Sequence, residues 1–188
     1  LDTFMAQFKV TQRTRKTYRH CLQGFLKYLY HQRRLIRKDL ASQLVGPRLY
    51  AKSKPPKFLR PEEVKKLFAS LKLSTPADIR TYAMVHLTYL LGLRPVEISR
   101  ITFDDISFSK AVLTLRDRKA HNPLTLPVSE NVVKAIAAYV LKARPKSPDR
   151  HLFLSFRFPY RPIHPPSVCY HISKAVTTAG RPAATYWL

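Results

Sequence analysis

The segment 91–98, which reads LGLRPVEI, places Arg94 at a corner between two predicted helices. Gly92 is a natural end for the first helix, and Pro95 can open the second. A guanidinium group whose direction is fixed by such a corner can hold a phosphate through two parallel hydrogen bonds. Glu97, three residues further on, can orient that guanidinium. An ion pair that only stabilises the corner is the alternative interpretation of the same pattern.

A second candidate is Lys119, which lies in the polar link between two predicted strands. A lysine at the tip of a β-hairpin is ordinarily solvated, and that interpretation stays open. Such a tip can also enter a DNA groove, where an ammonium group is able to donate a proton to a leaving oxygen. The neighbouring Arg118 adds a second cation, so the tip is also a candidate for DNA contact.

The overall charge favours a polyanionic partner. The 188 residues include 34 Lys and Arg against 11 Asp and Glu, a formal net charge of +23. That charge is far more than solubility requires, so nucleic acid is the first partner to consider. Hydrophobic residues make up 45% of the chain, which disfavours wholesale disorder. The chain has only four glycines and no GxxxxGK or GxGxxG string, which disfavours a glycine-rich phosphate-binding fold.

The first third of the chain is its most basic part. Residues 1–60 contain 15 Lys and Arg against two acidic residues. Apolar residues at helical spacing predict one helix over residues 11–34. The members of its apolar stripe are Tyr18, Leu22, Phe25 and Leu29. One helix cannot bury such a stripe alone, so this part is expected to be an incomplete domain.

Four basic residues crowd the start of this helix, namely Arg13, Arg15, Lys16 and Arg19. They are candidates for phosphate contact, because Lys and Arg neutralise the charge of a nucleic-acid backbone. The alternative is the ordinary solvated face of a helix in a bundle. Further on, the sequence KSKPPK at 52–57 predicts an extended linker, and we place a domain boundary there.

Turn and capping signals delimit the elements downstream of the linker. They predict five helices that begin near residues 61, 76, 96, 130 and 167, with Gly180 ending the last. Alternating β-rich residues predict two strands, at 111–116 and 124–128, and Pro127 indicates that the second lies at an edge or stops there. The predicted fold is therefore mainly α-helical with a small antiparallel β-sheet, an α+β arrangement.

This order of parts resembles that of the tyrosine recombinases, the phage-integrase and Xer-like family. Residues 89–101, which read YLLGLRPVEISRI, are similar to the first arginine box of the family's catalytic domain. The sequence FDDI at 103–106 is similar to the segment that follows that box. Lys119 stands eight residues before Pro127, which is the family's spacing between its hairpin lysine and the next strand.

The resemblance implies two domains and a known chemistry. Residues 1–52 are similar to part of the N-terminal core-binding domain, and residues 58–188 to an incomplete catalytic domain. In the family, a tyrosine hydroxyl attacks a DNA phosphodiester, forms a 3′-phosphotyrosine bond and releases a 5′-hydroxyl. No metal and no cofactor take part in that reaction.

The same resemblance implies a role for each matching residue. Arg94 corresponds to the first arginine that stabilises the transition state, and Lys119 to the general acid for the 5′-oxygen. Glu97 and Asp105 correspond to supporting residues of the arginine box. Double-stranded DNA is the implied partner, with a homo-oligomer or an intact recombinase on paired sites. A cytoplasmic, DNA-associated location without a membrane partner is expected.

One departure from the family's pattern follows Gly180. The family continues there with an H-x-x-R box and then the nucleophilic tyrosine, whereas residues 181–188 read RPAATYWL. We do not expect Tyr186 to be the nucleophile, because the second box should precede it. The chain is accordingly predicted to bind DNA but to be inactive alone. A short regulator or competitor of an intact recombinase, and a basic RNA-binding module, are the alternative functions.

Overall fold

The computed structural model describes residues 7, 10–46, 58–116 and 122–180. Its backbone divides into two compact units, which span Leu1–Pro56 and Lys57–Leu188. In chain order the helices are α1 Gln12–Lys27, α2 Pro61–Ser70, α3 Pro76–Leu91, α4 Pro95–Arg100, α5 Glu130–Lys142 and α6 Pro165–Thr178. The strands are β1 Ile106–Ser107, β2 Val112–Leu115 and β3 Leu124–Pro127. The mainly α-helical fold with a small antiparallel sheet is thus confirmed.

The first unit is built on α1, which begins at an N-cap threonine. The hydroxyl oxygen of Thr11 accepts a hydrogen bond from the backbone N–H of Thr14 at 3.2 Å. After Lys27 the helix continues through one π-helical turn, Tyr28–Gln32. The predicted helix over 11–34 is therefore present, with its end two residues earlier than expected.

The buried side of α1 differs from the predicted stripe. Leu26 packs with Ala41 and Leu44 into a small core, whereas Tyr18 is 43% and Phe25 55% exposed. The reason is tertiary, because the segment around residues 41–44 covers the helix on one side only. On the covered side, Nε2 of Gln23 donates a hydrogen bond to the carbonyl oxygen of Leu44 at 2.9 Å.

A capping box starts α3 where the sequence predicts it, whereas Ser129 before α5 and His164 before α6 make no side-chain capping hydrogen bond. The hydroxyl of Thr75 accepts from the N–H of Asp78 at 3.2 Å, and a carboxylate oxygen of Asp78 accepts from the N–H of Thr75 at 3.0 Å. These reciprocal bonds satisfy two backbone donors at the start of α3. At the other end of α3, Gly92 adopts φ +63° and ψ +26°, a left-handed conformation that favours glycine.

The three strands form one antiparallel sheet in the order β1-β2-β3. Leu113 pairs with Ile106 on one side and with Leu126 on the other. The two-residue strand β1 was not predicted from the sequence. Pro127 is the last residue of the edge strand β3, as its missing N–H requires.

The core of the second unit lies between the helices and the sheet. Helix α3 packs against α4, α5 and α6, and α6 also contacts α2 and α4. The largest fully buried side chains of this core include Met84, Ile98, Leu113, Ile136 and Tyr139. Among the described residues, no helix combines the length and hydropathy that a membrane span requires.

Candidate functional site

The corner between α3 and α4 holds the predicted phosphate-binding arginine. Gly92 ends α3, Leu93 is buried at 3% exposure, and Arg94 is the N-cap residue of α4. One carboxylate oxygen of Glu97 accepts a hydrogen bond from the backbone N–H of Arg94 at 2.8 Å. The other accepts from Nη1 of the Arg94 side chain at 3.3 Å. Glu97 therefore binds both the backbone and the guanidinium group of the arginine.

The two partners of this ion pair differ in their exposure to solvent. The Glu97 side chain is 5% exposed, whereas the Arg94 side chain is 65% exposed. A buried carboxylate with hydrogen-bond donors on both oxygens is held in place by the fold. The exposed arginine keeps guanidinium N–H donors directed to solvent. The corner can therefore present a partly oriented cation to an anionic group.

Asp105 lies close to this corner and has a different set of partners. Its Oδ2 accepts from the backbone N–H of Thr102 at 2.9 Å and from the Thr102 hydroxyl at 2.7 Å. Its Oδ1 lies 3.5 Å from Nε of Arg116. Asp105 thereby links the turn after α4 to the end of strand β2, where the predicted hairpin begins.

Glu97 and Asp105 line the same shallow cleft of about 250 Å³. The cleft is formed by Glu97, Arg100, Ile101, Thr102, Asp105, Leu115 and Arg116. Two carboxylates and two arginines therefore meet between the corner of Arg94 and the base of the hairpin. Of the four residues to which the family resemblance gives a role, Glu97 and Asp105 share this cleft, and Arg94 is linked to it through Glu97.

The fourth residue, Lys119, and the neighbouring Arg118 lie outside the described residues. The two ends of their link are nevertheless defined, because Leu115 of β2 pairs with Leu124 of β3. Arg116, the last described residue before the link, contacts Asp105 through its side chain. The hairpin therefore starts beside the cleft that Glu97 and Asp105 line.

Sequence reasoning overlooked Arg116 and Arg150. Besides Asp105, Arg116 contacts the carbonyl oxygen of Asp104 at 3.4 Å, and Arg150 binds both carboxylate oxygens of Asp104. The side-chain hydrogen bonds and the positive charge of Arg150 lower the pKa of Asp104, and the positive charge of Arg116 lowers it further. Both aspartates of the FDDI segment are thus paired with arginines. Arg150 is distant in sequence, so only the tertiary structure reveals its pairing.

The four basic residues at the start of α1 do not form one uniform cluster. Arg13 and Lys16 are exposed, whereas Arg15 and Arg19 are half-buried. The guanidinium group of Arg19 lies against Gly46, so that a methyl group at that position would overlap it. Glycine permits this close approach. Lys16 and Arg19 also line a shallow depression that includes His20.

A buried arginine that the sequence did not single out connects α3 to α6. Arg80 is 4% exposed and donates to the carbonyl oxygen of Leu154 at 2.7 Å. Its other terminal nitrogen lies 2.9 Å from Nε2 of His171, and its guanidinium stacks 4.4 Å from the ring centre of Phe156. Burial, followed by the charges of Arg80 and Lys174, lowers the pKa of His171. His171 is thus one of the residues that join α6 to α3.

Comparisons of sequence and of structure relate this chain to known proteins. The sequence model described as the phage integrase family matches residues 57–185, which is more than half of the chain. The chain is 35% identical over 139 residues to tyrosine recombinase XerC of Caldanaerobacter subterraneus subsp. tengcongensis. That alignment covers 72% of this chain and 37% of the relative, so the chain spans well under half of that relative's length.

Solved structures share the fold. The XerH site-specific recombinase bound to palindromic difH substrate, in a post-cleavage complex, has a TM-score of 0.77 and 15% sequence identity. The match covers 98% of this chain and 57% of XerH. A lambda integrase tetramer bound to a Holliday junction has a TM-score of 0.62 at 14% identity, with coverage of 93% and 51%. These structures show the shared fold, and the matched family model together with the identity to XerC establishes that the chain belongs to the phage integrase family of tyrosine recombinases.

Proposed function

We propose that this chain is a DNA-binding part of a site-specific tyrosine recombinase that acts in DNA integration and recombination. The observation that carries the proposal is the Arg94–Glu97 pair within the segment that resembles the family's first arginine box. A solvent-facing guanidinium held by a buried carboxylate suits the recognition of a phosphodiester. Residues 1–52 would belong to the core-binding domain and residues 58–188 to the catalytic domain.

In this proposal each residue acts on the phosphodiester group. Arg94 donates hydrogen bonds to the non-bridging oxygens, and these bonds strengthen as negative charge develops in the pentavalent transition state. Glu97 orients Arg94 without contacting DNA. Lys119 protonates the leaving 5′-oxygen. Asp105 positions the start of the hairpin through Arg116, so that Lys119 can approach the same phosphate.

A polypeptide of these 188 residues would bind duplex DNA without cleaving it. Arg94 and Lys119 supply one phosphate clamp and one proton donor, and neither is a nucleophile. Removing one donor to the transition state typically lowers the rate by about 10²–10³-fold. Without a nucleophile as well, no phosphotyrosine bond can form. Self-association on paired sites, or association with an intact recombinase, agrees with the tetrameric and DNA-bound complexes of the structural neighbours.

The first experiment measures binding of a fluorescent duplex between low and physiological salt. Log affinity should fall linearly with log salt concentration, with a slope of roughly −0.9 for each neutralised phosphate. Nicked duplex incubated with the polypeptide should give no denaturant-resistant adduct. Salt-independent binding, or an adduct that Tyr186→Phe abolishes, would contradict the proposal.

The second experiment tests the proposed residue roles in a chimera. A chimera that carries the H-x-x-R and tyrosine segments of a close relative should form the covalent adduct. Arg94→Ala should abolish adduct formation, and Lys119→Ala should slow it. A 5′-thiol leaving group should rescue Lys119→Ala but not Arg94→Ala, because a thiolate leaves without a proton. Equal rescue of the two variants would remove the proton-donor role from Lys119.

A further inference from the structure

A short, well-braced loop projects from the second unit between residues 155 and 161. The backbone N–H of Ser155 donates to the carbonyl oxygen of Arg161 at 2.8 Å, and the N–H of Tyr160 donates to that of Arg157 at 2.8 Å. The chain that enters the loop is anchored by Leu154, which is fully buried. The loop therefore has a closed base and a defined tip.

An aromatic side chain occupies the tip of this loop. Phe158 is 84% exposed, more than any other large hydrophobic residue in the described part of the chain. Its ring meets that of Tyr160 edge to face, with ring centres 5.8 Å apart. Tyr160 is half-buried and supports the phenylalanine from one side. A single exposed apolar residue is common on protein surfaces, so the exposure of Phe158 does not by itself identify a binding surface. Phe158 is distinguished by its place at the tip of a loop closed by two backbone hydrogen bonds, next to the ring of Tyr160.

Both charged residues of the loop are basic. Arg157 and Arg161 flank the aromatic pair, and both are exposed. Asp149 is the last acidic residue of the chain, so the following 39 residues contain five Lys and Arg and no carboxylate side chain. An anionic partner with apolar faces complements this combination. Nucleic acid has both properties, because its phosphates are anionic and its bases present flat aromatic faces.

The chemistry of phenylalanine restricts the contact further. Its ring carries no hydrogen-bonding group, so it cannot read the donors and acceptors on base edges. It can stack on the face of a base, and an intact duplex hides those faces within the helix. We propose that the tip of the 155–161 loop stacks Phe158 on an unpaired or opened DNA base, while Arg157 and Arg161 contact the flanking phosphates. This inference rests on the proposed DNA-binding function and adds a structure-selective contact to it.

The test compares two labelled DNAs, an intact duplex and the same duplex with a two-nucleotide bulge. The full 188-residue polypeptide should bind the bulged DNA more tightly. Phe158→Ala should weaken binding to the bulged DNA by roughly 5- to 150-fold and leave binding to the intact duplex nearly unchanged. Phe158→Tyr should retain the preference, since it keeps the aromatic face. Circular dichroism confirms that each variant is folded.

A matched control variant and a fluorescent base test whether the effect is specific to stacking by Phe158. Phe108 is 45% exposed in the turn between β1 and β2, and Phe108→Ala should leave both affinities unchanged. A 2-aminopurine in the bulge should change its fluorescence with the wild-type chain and with Phe108→Ala, but not with Phe158→Ala. Arg157→Ala with Arg161→Ala should weaken binding to both DNAs and make the salt slope shallower by up to about 1.8. Phe158→Ala should leave that slope unchanged.

The outcomes separate this inference from the proposed function. If the wild-type chain binds neither DNA, the proposed DNA-binding function is wrong. If it binds both DNAs while Phe158→Ala behaves as Phe108→Ala does, DNA binding stands and the stacking role is overturned. An equal loss on both DNAs also overturns stacking on an opened base. A change in sedimentation of the free protein without a change in DNA affinity would assign Phe158 to self-association instead.

Discussion

The side chains of Arg80 and His171 meet in the interior of the second unit, with Nη2 and Nε2 2.9 Å apart. An arginine always donates, so the facing nitrogen of the histidine must carry the lone pair. His171 is therefore neutral when it accepts this bond. Helices α3 and α6 are joined by a contact that requires one protonation state.

The first prediction concerns the pH dependence of stability. The pKa of His171 is lowered by burial and by Arg80 and Lys174, and burial lowers the pKa of His86. Below about pH 6.5 the unfolded chain therefore binds more protons than the folded chain does. The free energy of unfolding should be constant above pH 7.5 and should decrease towards pH 5.5. The slope can reach about 1.4 kcal/mol per pH unit for each proton difference.

Urea unfolding followed by circular dichroism measures this dependence. His171→Gln should reduce the slope, because an amide oxygen can accept from Arg80 and does not titrate. His86→Gln in the same background should reduce it further. A slope that neither substitution changes would show that other groups control the acid sensitivity.

The second prediction concerns Arg80 itself. Arg80→Met removes the donors to the Leu154 carbonyl and to His171 while it preserves much of the side-chain volume. The buried carbonyl of Leu154 and the half-buried His171 lose this donor, so the free energy of unfolding should fall by roughly 2–4 kcal/mol. Arg150→Met is the matched control, because its partner Asp104 is exposed. The control should cost much less. Comparable losses for the two variants would contradict the structural role of Arg80.

The third prediction compares two glutamates with the same backbone contact. Glu63 accepts from the N–H of Arg60 at 2.8 Å, as Glu97 does from Arg94 at 2.8 Å. Glu63 is half-buried and Glu97 is buried. Glu97→Ala should lower the free energy of unfolding by roughly 1–3 kcal/mol, and more than Glu63→Ala does. Chemical denaturation of both variants decides the order, and a larger effect of Glu63→Ala would refute it.

The fourth prediction separates the basic residues of α1. Arg13 and Lys16 are exposed, so replacing both by Ala should weaken binding to all duplex sequences. It should also make the salt slope shallower by up to about 1.8. Arg19→Ala should lower the stability of the first unit instead, since that guanidinium packs on Gly46. An unchanged affinity of the double variant would place the phosphate contacts elsewhere in the chain.

The fifth prediction concerns local stability. Three buried hydrophobic residues form the core cluster around Leu26, whereas the cluster of the second unit is several times larger. Amide hydrogens of α1 should therefore exchange faster than those of α3 and α5. Hydrogen exchange with mass spectrometry tests this difference directly. Equal protection of α1 and α3 in a monomer would contradict it.

Local signals account for the parts of the fold that the sequence predicted correctly. The Thr75–Asp78 capping box and the left-handed Gly92 each depend on residues a few positions apart. The two ends of α3 could therefore be predicted from the sequence. Pro127 indicated the edge strand for an equally local reason. The Arg94–Glu97 pair was also accessible, because three residues separate the partners within one turn.

The failures have a different physical origin. The orientation of α1 depends on which side the segment around Ala41 and Leu44 covers, and helical spacing alone cannot specify that side. The pairing of Arg150 with Asp104 spans 46 positions, and that of Arg80 with His171 spans 91. The sequence alone predicts that an arginine is exposed, because the distant acceptors that permit its burial cannot be identified from local residues.

The three residues 92–94 have a thermodynamic consequence for ligand capture. The left-handed turn at Gly92 and the burial of Leu93 fix the backbone from which Arg94 emerges, and Glu97 restricts its side chain. An arginine that is immobilised on binding loses rotamer entropy of up to about 2 kcal/mol. At this corner part of that loss occurs when the protein folds, before any phosphate arrives. The corner should therefore favour a phosphate at one place and in one orientation, whereas an exposed cation without such a brace would attract DNA without selecting a position.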